Sequence, residues 1–170
     1  MPNDAPISSY NFVWTGGDHN VYAFTTNDEI GYEVKFVPSG YLFEDYIDDP
    51  VDAYEMVIAV VDNPAGGRLP ADSLTAPTIR AIFYAFFRSH EQVIIFICDS
   101  SDGRQLARFR KFTDWYYKDI SAIQPGLFKM DARVVDSKNQ HTLLSGILRT
   151  SHPHFSVFVA LFRDLNAGVK

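Results

Sequence analysis

The sequence predicts an α+β fold: a mixed, mostly antiparallel sheet in the element order β-β-β-β-α-β-α-β-β-α, with helices on its faces. Three observations predict it. Residues 10–37 alternate large apolar and polar residues between turn clusters, as a strand meander does. Val93–Cys98 is apolar without a break and mostly β-branched, the pattern of a central strand covered on both faces. Apolar stripes recur at helical spacing over 79–87, 109–120 and 155–165.

The elements follow in order. Residues 1–8 read as a loose tail, and 9–170 as one domain. Tyr10–Thr15 and Val21–Thr26 are alternating strands joined by a Gly16–Asn20 turn. Asn27–Glu29 turns the chain into a third strand, Ile30–Val37, which Pro38 ends. Tyr41–Asp52 mixes acids with aromatics and reads as an irregular strand or an ordered loop. Tyr54–Val61 is the fourth strand. A long Asn-, Pro- and Gly-rich loop, 62–75, leads to a helix that Thr75 or Thr78 can cap and that ends near His90.

The chain is then organised around the strand Val93–Cys98, the polar turn Asp99–Gly103 and an amphipathic helix. In that helix Phe109, Phe112, Tyr116 and Ile120 form the apolar stripe. Leu127–Val135 and Thr142–Arg149 make a hairpin, and a last helix runs from Phe155 to Leu165. A strand, a helix and a strand in succession form a right-handed parallel crossover, so 54–61 and 93–98 are expected to lie parallel.

Composition narrows the function. The 170 residues carry 15 bases and 21 acids, a net charge of −6. Residues 1–62 hold one base, Lys35, against twelve acids, a net of −11, and residues 63–170 hold a net of +5. This acidity argues against a nucleic-acid partner. No apolar run approaches the ~20 residues of a membrane helix, and the N-terminus has no signal-peptide pattern. Cys98 stands alone, which fits a buried thiol in a reducing cytoplasm. The histidines His19, His90, His141, His152 and His154 show no ligand spacing, so no metal is expected.

The element order over roughly residues 20–150 resembles the core of the GCN5-related N-acetyltransferase family. That resemblance implies acetyl-CoA between strands 54–61 and 93–98, and transfer of its acyl group to an amine. It places the pyrophosphate near Gly66, Gly67, Arg68, Thr75 and Thr78, at a helix N-terminus. It makes Glu55 the residue that draws a proton through water, and Tyr116 or Tyr117 the proton donor to the thiolate. The chain is also similar to a group of small uncharacterised bacterial proteins. That likeness rests on Thr78–Ile79, the Phe86–Phe87 pair, the Cys98–Arg104 turn, Arg108 and Trp115.

Two further features weigh on function. Arg104, Arg108, Lys111, Trp115 and Lys118 form a basic helix stripe with one indole, a candidate anion or partner contact. Tyr41, Phe43 and Tyr46, set among acids, are the residues of a protein interface. The alternative reading is therefore a non-catalytic interaction module using segment 41–52 or the basic stripe. The turn carboxylates Asp99 and Asp102 read chiefly as turn and cap residues.

Overall fold

The computed structural model describes residues 9–98, 101–120 and 126–168. The tail expected over 1–8 and the Asp99–Ser100 part of the polar turn lie outside them. Among the described residues are seven strands and three α-helices. The strands are β1 (Phe12–Gly16), β2 (Val21–Thr25), β3 (Gly31–Pro38), β4 (Ala53–Asp62), β5 (Val93–Cys98), β6 (Leu127–Val135) and β7 (His141–Arg149). The helices are α1 (Thr75–Phe86), α2 (Gln105–Trp115), continued by a π-helical turn at Tyr116–Ile120, and α3 (Phe155–Asn166). The predicted α+β class and element order hold.

The strands form one mixed sheet in the order β1-β2-β3-β4-β5-β7-β6. The expected parallel pair is present: Ala53, Tyr54 and Glu55 pair with Val93, Ile94 and Ile95. The terminal hairpin enters the sheet through its second strand, since β7 pairs antiparallel with both β5 and β6.

The chain divides into two compact units, Met1–Phe36 with Val57–Phe87 and Val37–Met56 with Arg88–Lys170. In the first unit, the β1–β2 turn is built on Gly16 and Gly17, both at φ 75°, a conformation costly for any side chain. Phe24 stacks on Tyr32, and Phe36 stacks on Phe86 of α1 at 4.0 Å between ring centroids. Ile82 and Phe83 of α1 are fully buried.

Two local expectations change in this unit. Neither threonine caps α1: the Thr78 hydroxyl donates to the Leu74 carbonyl and accepts from the Tyr10 N–H. Asp72 instead takes the Leu74 N–H at 2.7 Å, closing a turn just ahead of the helix. The helix also stops at Phe86 rather than near His90. In the second unit the Gln92 side chain accepts the Arg88 and Ser89 N–H groups, turning the chain into β5.

The core of the second unit joins Phe43, Ile47, Ile95, Leu148, Phe158 and Phe162. Met130 and Ala132 point from β6 into this cluster, towards α3. Gly146 of β7 lets α3 approach, because a Cβ there would meet Phe162 at 2.8 Å. Alternation along the strand sends Lys129, Asp131 and Arg133 to the other face, which α2 covers.

Candidate functional site

Of the two forms expected for the acidic, aromatic segment, the structure shows the ordered loop and not the strand. Gly40–Phe43 is a 3-10 turn, continued by further turns in which the Tyr46 and Ile47 N–H groups donate to the Phe43 carbonyl. Its entry is pinned. The buried Ser39 hydroxyl donates to the Val37 carbonyl and accepts the Glu55 N–H, while the Ser39 N–H donates to the Ala53 carbonyl. Gly40 touches the far end of the segment: a Cβ there would sit 2.3 Å from the Val51 carbonyl oxygen, so the residue must be glycine.

This geometry separates the aromatics that the sequence grouped. Phe43 and Ile47, four residues apart, are buried, and Phe43 packs edge-on against Phe158 at 4.9 Å. Tyr41, Leu42 and Tyr46 stay outside, at 67%, 40% and 55% exposure. Glu44, Asp45, Asp48, Asp49 and Asp52 share the segment with no base. Gly40, Tyr41, Glu44 and Ile47 with residues 48–51 line a shallow cavity of about 330 Å³. At one end His154 Nε2 lies 3.4 Å from the Asp49 carboxylate. At the other Tyr54 hydrogen-bonds Asp52, and burial foremost, then that bond, pushes its hydroxyl pKa to about 12. The result is a rigid acidic shelf carrying two tyrosines and a leucine.

A second polar cluster escaped the sequence reading. The Lys129 side chain is fully buried beneath α2, with Nζ 5.1 Å from the Phe109 ring centre and 5.9 Å from that of Tyr117. Its ion-pair partner is Asp131, two residues on along the same face. Asp131 also accepts the buried Ser145 hydroxyl at 2.7 Å from the facing position on β7. The available signal was the period-two spacing of Lys129, Asp131 and Arg133 in a strand that a helix must cover.

The residues that the acetyltransferase resemblance implied occupy these places. Gly66, Gly67 and Arg68 are exposed in the loop after β4, with the glycines at φ 67° and 73°. The Gly66 N–H donates to the Asn63 carbonyl, and the Asn63 amide donates to the Gly67 carbonyl. Thr75 and Thr78 lie in the first turn of α1. That helix start already carries a carboxylate. Burial pushes the Asp72 carboxyl up, but bonds from the Tyr10 hydroxyl, the Leu74 N–H and Thr75 outweigh it and hold its pKa below the ordinary value. Glu55 is half-buried on β4. Tyr116 is buried and Tyr117 is 58% exposed, with their rings edge to face.

The basic stripe faces solvent. Arg108 grips Asp102 through two bonds, at 2.8 and 3.2 Å, and Asp102 also accepts the Arg104 N–H. An exposed pair of this kind contributes about 0–1 kcal/mol. Arg104, Lys111 and Lys118 are exposed, and Trp115 lies half-buried against Phe112. The Cys98 thiol is buried at the end of β5. Among the described residues no cluster of three or more His, Cys, Asp or Glu could hold a metal ion, and no helix is long and apolar enough to cross a membrane.

His152 holds the start of α3. Its Nδ1 accepts the His154 N–H at 3.0 Å, so Nε2 carries the proton and donates to the Glu91 carbonyl at 2.9 Å. Burial chiefly, with repulsion from His154 and His90 added, lowers its pKa against the raising effect of Glu91. Below an unfolded value of about 6.5, the unfolded chain takes up this proton before the folded one does. His152 therefore subtracts stability as pH falls from there through its folded pKa. Urea midpoints across this window should show the gap between the wild type and His152→Gln narrowing in acid. Parallel curves would contradict the assignment.

No curated protein and no solved structure matches the chain. The likeness to the GCN5-related N-acetyltransferases, which rests on element order, is supported by none of these comparisons. A family model matches residues 72–164, more than half of the chain. It covers α1, β5, α2, the β6–β7 hairpin and most of α3, and it begins at the Asp72 that closes the turn before α1. On that match the chain belongs to the Family of unknown function (DUF6169).

Proposed function

We propose that this chain is a protein-interaction module that presents the Gly40–Asp52 shelf to a partner segment carrying basic and apolar side chains. One observation carries the reading: Tyr41 and Tyr46 stand more than half exposed on a backbone pinned by Ser39, Gly40, Phe43 and Ile47. Folding gains nothing from exposing two tyrosines on an anchored turn, whereas interfaces are enriched in them. A preformed shelf loses little conformational entropy when it binds. Its five carboxylates steer a cationic segment and weaken a like-charged one.

The test uses a short peptide in which arginines alternate with leucine and tryptophan, beside its glutamate counterpart. The basic peptide is expected to bind, with an affinity that falls as salt is raised. Tyr41→Ser with Tyr46→Ser should weaken it about thirtyfold or more, each tyrosine contributing ~1 kcal/mol or more. The same changes should move folding stability by less than ~0.5 kcal/mol, because both side chains lie at the surface. Equal binding of both peptides, or no loss in the double variant, would contradict the reading.

A second reading, an acyl-CoA-dependent N-acyltransferase, is favoured by the parallel β4–α1–β5 crossover and its three-residue ladder. The phosphate seat fits it poorly, since Asp72 already occupies the start of α1 with negative charge. Thermal unfolding with excess acetyl-CoA tests it. A bound ligand at a hundred times its Kd adds about 2.7 kcal/mol. An unmoved midpoint would remove this reading.

A further inference from the structure

The solvent side of α2 and its π-helical turn is basic and partly apolar. Arg104, Lys111 and Lys118 recur every seven residues, two helical turns, and all three are exposed. Beside them stand Arg110, exposed, with Leu106 and Tyr117 at 48% and 58% exposure. Residues 104–118 hold five bases against one acid, Asp114, a net of +4. No other stretch of this length in the sequence holds as many bases. The shelf is its complement. Residues 40–52 hold five acids and no base, a net of −5, beside the exposed Tyr41, Leu42 and Tyr46.

The two surfaces belong to opposite faces of the sheet in the second unit. Phe43 and Ile47 cluster with Met130 and Ala132 of β6 and with Phe158 and Phe162 of α3. The alternate positions serve α2: Lys129 of β6 meets the Phe109 ring, and Phe96 of β5 stacks on Phe112 at 4.0 Å. The sheet therefore keeps a chain's own α2 away from its own shelf. The match can operate only between copies.

We infer that α2 of one copy docks on the shelf of a second copy of this chain. The inference rests on the shelf reading and names its partner. Arg110, Lys111 and Lys118 meet the shelf carboxylates, and Leu106 and Tyr117 meet its tyrosines and Leu42. Complementary charge fixes the orientation, since shelf against shelf and helix against helix both repel. The contact is heterologous, so copies add head to tail until a ring closes or an open chain continues.

The test is sedimentation of the full chain over a range of protein and salt concentrations. Mass is expected to rise with protein concentration and to fall as salt is added. Asp45→Lys with Asp48→Lys reverses the shelf, and Arg110→Glu with Lys111→Glu reverses the helix face. All four side chains are exposed, so both double variants should keep the wild-type unfolding midpoint. Each alone should associate at least about tenfold more weakly. An equimolar mixture should associate again, because each shelf then meets a helix of opposite sign. The arginine–leucine–tryptophan peptide should dissociate the wild-type assembly by occupying the shelf. Association unmoved by either reversal, or a mixture no more associated than its parts, overturns the inference. A monomer at every concentration overturns it too. If that monomer binds the peptide, the shelf reading stands with another partner; if it does not, both fall. A monomer whose α2 binds a single-stranded oligonucleotide gives this face to nucleic acid instead.

Discussion

Asp131→Ala is expected to cost about 3 kcal/mol of folding stability, the scale for breaking a buried ion pair from one side. The reason is an asymmetry in exposure. Lys129 is fully buried at its side chain, whereas Asp131 is 42% exposed. Removing the carboxylate leaves an ammonium group under α2 with two aromatic faces for company. It also leaves the buried Ser145 hydroxyl without its acceptor. Removing the other partner is milder. Lys129→Met keeps the apolar stem, deletes the buried charge and leaves Asp131 to water, so a loss below ~1 kcal/mol is expected. For a chain of this length the alanine variant should unfold about 6–12 °C lower, at ~2–4 °C per kcal/mol. Equal losses in the two variants would contradict this account of the seam.

Phe43→Ala is expected to cost ~3–5 kcal/mol, the range for truncating a buried phenylalanine. Phe43 joins the shelf to the core of the second unit, edge-on to Phe158 and clustered with Ile47 and Ile95. Its loss opens a cavity and also frees the turn that fixes Tyr41 and Tyr46. Binding of the basic peptide should fall with it, although Phe43 itself is buried. Phe43→Leu refills most of the volume and should recover most of both stability and binding. A Phe43→Ala variant that is less stable but binds as tightly would show that the shelf needs no anchor.

Much of the fold was legible because single residues carried it. The unbroken run Val93–Cys98 could be satisfied only between neighbours, and it pairs with β4 on one side and β7 on the other. Of the stripe Ile79, Ile82, Phe83, Phe86 and Phe87, four are buried as helical spacing requires, and Phe86 is half-buried against Phe36. Local competition hid the rest. Thr75 and Thr78 are good capping residues, yet Asp72 wins the Leu74 N–H because Tyr10 comes from far along the chain to hold its carboxylate. Segment 41–52 looked irregular because its acids mask an i, i+4 pair, Phe43 and Ile47, which is the signature of its turn.

The candidate sites were legible unevenly. Tyr41 and Tyr46 stood out as aromatics among acids, and they are the exposed ones. Phe43 stood out for the same reason and is buried, since composition cannot say which side of a turn a ring will take. Lys129, Asp131 and Ser145 carry no motif. They meet only because β6 pairs with β7, and the register of a hairpin that aligns Asp131 with Ser145 cannot be read from spacing alone.

The most direct measurement of the central claim is an amide chemical-shift map of the chain titrated with the arginine–leucine–tryptophan peptide. The shifts are expected to centre on residues 40–52 and to shrink together as salt is added. Shifts that centre elsewhere, or that leave Tyr41 and Tyr46 unmoved at saturation, would contradict the shelf as the interaction surface.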